Sequence, residues 1–274
     1  MTCYYPLLGL PHGIDASVTF STFSHNERTA AVRPPRSHSL DVALYRAERG
    51  RWRCLDRLPV PEPGDLTLTS AGLDLAPGEL VVLVPLERDR REDPGDGLLP
   101  LPCSKRVDRS PVAERASLGF RWRGVTSSYQ GEYPVRMAQI DQGTMLSFDA
   151  LFQSGPTVGR NLLCLVNLCR QPEEVEHRLE LFDAHAHRLM RTATYRRNSC
   201  CLVDVPPEEA ATKEVFVRST TSLGIPILLT LSREDLPPSM SVEHTHPPTE
   251  FFSERDRLSG SRAIKRTWLG MALS

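Results

Sequence analysis

Residues 225–232 read IPILLTLS, and apolar side chains recur at every second position: Ile225, Ile227, Leu229 and Leu231. Successive side chains of a β-strand point to opposite faces of the sheet, so this pattern places the four on one face. It predicts a half-buried strand with a core on one side.

Further strands are predicted on both sides of this one. Period-two alternation recurs in CLVDV (201–205), VEHRLEL (175–181) and SLGFRW (117–122). Two runs, LVVLV (80–84) and LLCLVNL (162–168), are apolar throughout and predict strands that are covered on both faces. The 23 prolines punctuate the chain and favour short strands and turns over long helices. Helix signals are confined to PPEEAATKE (206–214) and to the stretch 257–270, so we expect little helix.

Length and composition restrict the class of protein. A chain of 274 residues predicts two domains of ordinary size. The net charge of −1 argues against non-specific nucleic-acid binding, which needs an excess of positive charge. No apolar run approaches the roughly 20 residues of a membrane span, and the N-terminal stretch MTCYYPLLGLPHGID lacks a basic leader. Seven cysteines without CxxC spacing indicate reduced thiols, so we expect a cytoplasmic protein without membrane insertion.

Domain boundaries are predicted from composition. Residues 87–115 are dense in charge, proline and glycine, which is typical of a linker or long surface loop. We therefore expect a first β-sandwich module at 1–90, a linker at 91–116, a second module at 117–235, and a loop with a C-terminal tail at 236–274.

The two halves share sequence patterns. The matching pairs are LYRAERGRWR (44–53) with LFDAHAHRLM (181–190), LDLAPGE (73–79) with VDVPPEE (203–209), and ELVVLVPLERD (79–89) with PILLTLSRED (226–235). The first pair predicts a hairpin in each half, with the order strand, polar turn, strand. A gene duplication explains these matches, although any two all-β stretches share alternation and proline turns. The predicted fold class is all-β, with two tandem Ig-like or jelly-roll-type β-sandwiches that a duplication would relate.

Two histidine motifs raise the question of a metal. Asp183-Ala-His185-Ala-His187 resembles the first metal motif of the amidohydrolase barrels, but only 87 residues follow it and no alternating helices do, so we predict a hairpin turn. His244, His246 and Glu250 form an H-x-H-x3-E pattern that resembles half of the cupin metal motif. No histidine follows His246 to complete it, and two prolines interrupt strand pairing. A surface loop is the preferred interpretation, and a divalent metal is the alternative.

Aromatic, polar and arginine side chains are concentrated in GFRWRGVTSSYQGEYPVRM (119–137). Aromatic faces and planar guanidinium groups are suited to recognition of sugars, bases or carboxylates. The alternative is that these aromatics pack one module onto the other. The candidate ligand-binding residues are Trp122, Tyr129, Gln130, Glu132, Tyr133 and Arg136. We predict that Trp122, Tyr129, Tyr133 and Arg136 lie close together at the junction of the modules.

The order of elements from Leu162 to Asp235 resembles the small β-sandwich of the sensory-rhodopsin transducer family. An apolar strand ending in Asn167 is followed by a hydrophilic hairpin, YRRNSCCLVDV, and a Ser/Thr-rich turn before Pro226. The resemblance implies a cytoplasmic, non-enzymatic binding or signalling module that is able to form a homo-oligomer. It transfers no functional residues to this chain.

These observations favour a non-enzymatic binding or interaction module over an enzyme. No G-x-S-x-G elbow, P-loop or G-x-G-x-x-G motif is present, and no catalytic residue or cofactor is predicted. We expect the partner to be a carbohydrate, another polar small ligand, or a signalling protein. The alternative is a metal-dependent enzyme that uses His244, His246 and Glu250.

The hairpin-turn interpretation of 183–187 makes a testable prediction. Replacing His185 and His187 together by Ala should change the free energy of unfolding by less than about 0.5 kcal/mol, because exposed turn substitutions rarely matter more. Urea unfolding measures this change. Loss of a stoichiometric bound metal from the double variant would instead favour the amidohydrolase interpretation.

Overall fold

The computed structural model describes residues 3–24, 40–61, 64–88, 97–103, 112–129, 131–135, 138, 145–147, 152–171, 176–183, 188–210, 215–219 and 225–244. The chain divides into two compact units. Unit 1 comprises residues 1–139 and 169–174, and unit 2 comprises residues 140–168 and 175–274.

Unit 1 contains two antiparallel sheets. Its strands are β1 (Cys3–Leu8), β2 (Asp15–Ser24), β3 (Leu40–Glu48), β4 (Arg51–Pro59), β5 (Gly64–Thr69), β6 (Leu80–Glu87), β7 (Val112–Trp122), β8 (Val125–Tyr129) and β9 (Tyr133–Pro134). The five-stranded sheet has the order β4-β3-β6-β1-β9, and the four-stranded sheet has the order β5-β2-β7-β8.

Unit 2 also contains two antiparallel sheets. Its elements are β10 (Met145–Ser147), β11 (Val158–Asn167), β12 (Glu176–Asp183), β13 (Arg188–Arg196), β14 (Ser199–Val205), α1 (Pro207–Ala210), β15 (Val215–Ser219), β16 (Ile225–Ser232) and β17 (Met240–His244). The sheet orders are β10-β15-β12-β13 and β14-β11-β16-β17. The predicted all-β class is confirmed, and α1, within PPEEAATKE, has only four residues.

Burial follows the sequence patterns in unit 1. On β7, Leu118 and Phe120 are buried, whereas Ser117 and Arg121 between and beside them are exposed. The apolar strand β6 is instead buried from Leu80 to Leu86, on both faces. The two sheets meet across the core, where the rings of Tyr5 and Phe20 pack edge to face with centroids 5.1 Å apart.

The core of unit 2 lies between its two sheets. Leu163 and Leu165 of β11 and Val203 of β14 pack with Leu179 and Leu181 of β12. The alternation of IPILLTLS predicted a strand buried on one face only, but the second set, Leu228 and Thr230, is buried as well. β16 lies between β11 and β17 in the sheet, and both of its faces are covered along residues 226–232.

The hairpin predicted at 44–53 is confirmed. β3 ends at Glu48, β4 begins at Arg51, and Arg49 and Gly50 have φ values of +47° and +70°. Two successive positive φ values are typical of a type I′ turn, whose twist matches that of the paired strands. At the β12–β13 hairpin Asp183 pairs with Arg188, while residues 184–187 lie outside the described part of the chain.

The unit boundaries differ from the predicted domain boundaries. We expected a linker at 91–116 and a second module from 117, but β7 pairs with β2 along its whole length, from Val112 opposite Ser24 to Arg121 opposite Asp15. Unit 1 therefore extends to residue 139. Alternation shows that a strand has a buried face, but it does not show which strand lies beside it.

A short segment from the second half of the chain also belongs to unit 1. The indole Nε1 of Trp52 donates a hydrogen bond to the carbonyl of Cys169 (3.1 Å). The backbone N–H of Leu99 donates to the carbonyl of Arg170 (3.1 Å), whose Nε donates to the carbonyl of Leu99 (2.9 Å). These reciprocal bonds explain why residues 169–174 form part of unit 1.

The sequence matches between the halves do not correspond to matching positions in the sheets. In unit 1 the β3–β4 hairpin and the apolar strand β6 belong to one sheet, with β3 beside β6. In unit 2 the β12–β13 hairpin and the apolar strand β16 belong to different sheets. LDLAPGE lies in turns, whereas VDV of the matched segment lies in β14. A duplication is therefore not shown.

None of the described residues forms a helix long and apolar enough to span a bilayer.

A buried side chain in unit 2 gives a testable prediction. Asn161 is fully buried; its Oδ1 accepts from the N–H of Gln153 (3.2 Å) and from Thr230 Oγ1 (2.9 Å), and its Nδ2 donates to the carbonyl of Gln153 (2.9 Å). Asn161→Ala should lower the free energy of unfolding by about 2–3 kcal/mol, because it leaves buried polar groups unsatisfied. Chemical denaturation measures the loss. The control Gln153→Ala removes an exposed bond to Ser241 and should cost less than about 0.5 kcal/mol; equal losses would contradict the assignment.

Candidate functional site

One carboxylate in unit 1 holds two arginines. Asp41 accepts from Nε of Arg57 through Oδ2 and from Nε of Arg88 through Oδ1, each at 2.9 Å. The Asp41 side chain is only 11% exposed, whereas those of Arg57 and Arg88 are 31% and 44% exposed. Two guanidinium groups and one carboxylate leave this cluster with one excess positive charge.

Strand register brings the three residues together. Asp41 lies opposite Pro59 of β4 and Leu86 of β6, and Arg57 lies opposite Ala43. Asp41 and Ala43 are two residues apart on β3, so Asp41 and Arg57 project to the same face. Arg88 immediately follows the end of β6. The cluster therefore forms at one end of the five-stranded sheet, where β3 begins and β4 and β6 end.

A β-bulge determines which face Arg57 uses. The register of β3 and β4 shifts between Leu44 and Tyr45, which pair with Asp56 and Cys54. An inserted residue reverses the alternation beyond it. Without the bulge Arg57 would share a face with Arg53, which lies opposite Arg46.

Backbone acceptors hold Arg57 further. Its Nη2 donates to the carbonyls of Glu87 (3.0 Å) and Arg88 (3.2 Å), which ties the end of β4 to the end of β6. Arg88 contributes only its Nε to the hydrogen bonds found among the described residues, so its two terminal nitrogens remain available there. Asp41 therefore orients the side chain of Arg88 through Nε alone, as far as the described residues extend.

Arg88 lines a surface depression of about 330 Å³ together with Pro59, Val60 and Pro61. Val60 is buried and donates its N–H to the carbonyl of Leu40 (2.8 Å), which fixes this wall to the start of β3. Rigid apolar surface beside an oriented guanidinium is a suitable environment for an anionic group on a small ligand or peptide. Sequence analysis did not identify this site, because its three charged residues are far apart along the chain.

The aromatic residues predicted to bind ligand are not brought together as one exposed group. Trp122 lies on β7 and pairs with Val125, the first residue of β8. Tyr129 is the last residue of β8 and pairs with Leu118 of β7. That separation is about 13 Å along the sheet. Tyr133 lies in the other sheet, opposite Tyr4, and is fully buried. The expected proximity of Trp122 and Tyr129 was therefore wrong.

Each of the described aromatics has a structural role in unit 1. Trp122 is buried, and the guanidinium of Arg123 lies 5.2 Å from the centre of its ring. Tyr129 stacks on Phe120 with centroids 6.4 Å apart. Glu132 accepts a weak hydrogen bond from Cys3 Sγ (3.8 Å). Gln130 and Arg136 lie outside the described residues, so a ligand role for the set stays a prediction.

The structure describes one of the three residues of the metal alternative. His244 ends β17 opposite Ile227, while His246 and Glu250 lie outside the described residues. Across the described ranges, no group of three or more His, Cys, Asp and Glu side chains is placed to hold a metal ion. His185 and His187 are likewise outside them. A metal site at 244–250 stays a prediction.

All seven cysteines lie in the described part of the chain and are free thiols. Burial, together with the neighbouring Cys200, raises the pKa of the Cys201 thiol to about 12. A hydrogen bond with Cys164, together with burial, raises the pKa of Cys200. These buried thiols stay protonated at neutral pH, so they are poor nucleophiles and poor metal ligands.

A second polar cluster is buried in unit 2. Asn167 donates from Nδ2 to the hydroxyl of Tyr195 (3.4 Å) and accepts from the backbone N–H of Asn198 (2.9 Å). The imidazole of His177 lies 5.6 Å from the ring of Tyr195, and Arg197, two residues after Tyr195, is also buried. Arg197 and Asn198 form the two-residue corner at which the chain passes from β13 to β14, and Asn167 bonds to that corner. The cluster stabilises that corner between the sheets.

Comparison with known proteins does not assign the chain to a family. No family model matches it, and no curated protein matches it. The site must therefore be interpreted from its own chemistry.

The ion-pair cluster yields a prediction about stability. Asp41→Ala should lower the free energy of unfolding by about 2 kcal/mol, because a nearly buried carboxylate with two charged donors is lost while the partly exposed arginines regain water. Urea unfolding at neutral pH measures the change. Glu48→Ala is the matched control, since its pair with Arg53 (3.3 Å) is solvent-exposed and should be worth less than about 0.5 kcal/mol. Equal losses in the two variants would show that Asp41 does not organise the cluster.

Proposed function

We propose that this protein is a non-enzymatic binding module that recognises a carboxylate-bearing polar ligand or partner at the depression beside Arg88. The observation that carries the proposal is the position of Arg88: Asp41 accepts a hydrogen bond from its Nε, and the residue lines an open depression. A planar guanidinium binds a carboxylate through two parallel hydrogen bonds.

Preorganisation supports this role. Arg57 is held by Asp41 and by two backbone carbonyls, and Asp41 in turn holds Arg88. An arginine that is already oriented loses less conformational entropy when it binds an anion than a free surface arginine does. The wall beside it, Pro59 to Pro61, is rigid because the proline rings fix the backbone φ angle.

The proposed setting is the cytoplasm. All seven cysteines, each within the described residues, are free thiols, including the exposed Cys54. Reducing compartments maintain thiols in this state. The expected resemblance of residues 162–235 to a cytoplasmic signalling module agrees with this setting.

Titration with sodium succinate tests the proposal. Followed by amide chemical shifts, it should perturb residues around Pro59–Pro61 and Arg88 with a dissociation constant of about 1 mM, as expected for one bidentate ion pair. Arg88→Gln should weaken this binding by about ten-fold or more.

Arg121→Gln is the matched control, because Arg121 also makes one 2.9 Å bond to an aspartate, Asp15, on an exposed surface away from the depression. The control should bind succinate as the original chain does. Shifts that are absent, or that survive Arg88→Gln unchanged, would refute the proposed site.

A further inference from the structure

We infer that the partner of this site is an extended acidic protein segment that adds as a strand to the edge of β4 that faces away from β3. The inference rests on the proposed function, because it places one carboxylate of that segment at the Arg88 depression. The backbone of the same segment would pair with β4 and form the second half of the interface.

β4 provides a strand edge that leads to the depression. Among the described residues it pairs with β3 alone, and it forms one border of the five-stranded sheet. It has nine residues, which span about 27 Å, and it ends at Pro59, in the wall of the depression. The N–H of Arg57 is bonded to Asp56 Oδ1 (2.7 Å) and Pro59 has no N–H, so near the depression an added strand would pair with carbonyl groups. Main-chain hydrogen bonds to a strand edge are a common way of binding extended segments.

The middle of this edge is accessible. Arg53, Cys54, Leu55 and Asp56 are all exposed. Leu55 is 41% exposed, which few large apolar side chains of the described residues are. The other sandwich has a comparable edge strand, β13, with Leu189 exposed. Two arginines of β13 are already paired, Arg188 with Asp183 and Arg191 with Glu209. Arg53 and Arg57 of β4 are paired in the same way, with Glu48 and Asp41, so β4 is distinguished by the depression with Arg88 at its end.

The charge on β4 and its hairpin is strongly positive. The segment 44–57 carries five arginines and two acidic residues, namely Arg46, Arg49, Arg51, Arg53, Arg57, Glu48 and Asp56. Arg46 and Arg53 lie directly opposite each other, and like charges in this position repel. The Nε atom of Arg46 is buried and has no hydrogen-bond partner within the described ranges. An acidic strand alongside β4 would neutralise this charge.

The bulge distributes the arginines over both faces of the edge. Arg51 and Arg53 pair with Glu48 and Arg46 on one face, whereas Arg57, opposite Ala43, lies on the face of Asp41. A partner strand that alternates its side chains would therefore meet arginines on either face. Its acidic residues on the Asp41 face would lie nearest Arg88, at the end of β4.

The test uses an acetylated and amidated eight-residue peptide of alternating Glu and Val, so that side chains supply every carboxylate. The full chain should bind this peptide at least about ten-fold more tightly than it binds succinate, because strand pairing adds contacts to the single ion pair. A Lys–Val peptide of the same length should not bind. Arg53→Gln should weaken peptide binding by a few-fold without changing succinate binding.

Backbone methylation of the peptide separates edge pairing from simple charge attraction. Only alternate N–H groups of an added strand face β4. N-methylation of that set should reduce affinity about ten-fold or more, while N-methylation of the other set should have little effect.

Three outcomes would count against the inference, and they differ in whether the proposed carboxylate site also fails. Equal effects of the two methylated sets would overturn strand addition. So would peptide binding no tighter than succinate binding, and in both cases the proposed carboxylate site would stand. If neither succinate nor the peptide binds, the proposed function fails together with the inference.

Discussion

The pairing of β6 with β3 on one side and β1 on the other is the constraint on which unit 1 depends. β6 is apolar and buried on both faces, so its backbone N–H and C=O groups must be satisfied by neighbouring strands. β3 and β1 provide those bonds, and their own apolar side chains complete the burial. Once these three strands are aligned, the positions of β4 and β9 at the borders follow.

The same pairing creates the charged cluster. The register of β3 against β6 sets Asp41 opposite Leu86, and Arg88 follows two residues later. A carboxylate with little exposure needs charged or hydrogen-bonding partners, and Arg57 and Arg88 are the two that strand ends bring within reach. Stability and the proposed binding role are therefore linked at Asp41: the contacts that satisfy the carboxylate also orient the guanidinium of Arg88.

Unit 2 also contains buried polar groups. The side chain of Asn161 bonds to Thr230 and to the backbone of Gln153, and the side chain of Asn167 bonds to Tyr195. These bonds join segments of the sandwich. In unit 1 the hydroxyl of Tyr4 is fully buried without a hydrogen-bond partner among the described residues, and burial raises its pKa. Such a group is costly to the fold. The two units thus share an architecture without sharing the arrangement of their polar side chains.

The sequence by itself determined the class of the fold and several of its parts. Alternation and apolar runs located β6, β7, β11 and β16, and the polar turn in LYRAERGRWR located the hairpin at Arg49–Gly50. These features are local, because side-chain period and turn residues act on neighbours in the chain. The tertiary structure alone decided which strands pair, that β7 joins unit 1, and that residues 169–174 belong with it. It also decided the candidate site, because Asp41, Arg57 and Arg88 meet only through strand register and a bulge, and neither is encoded by any local pattern.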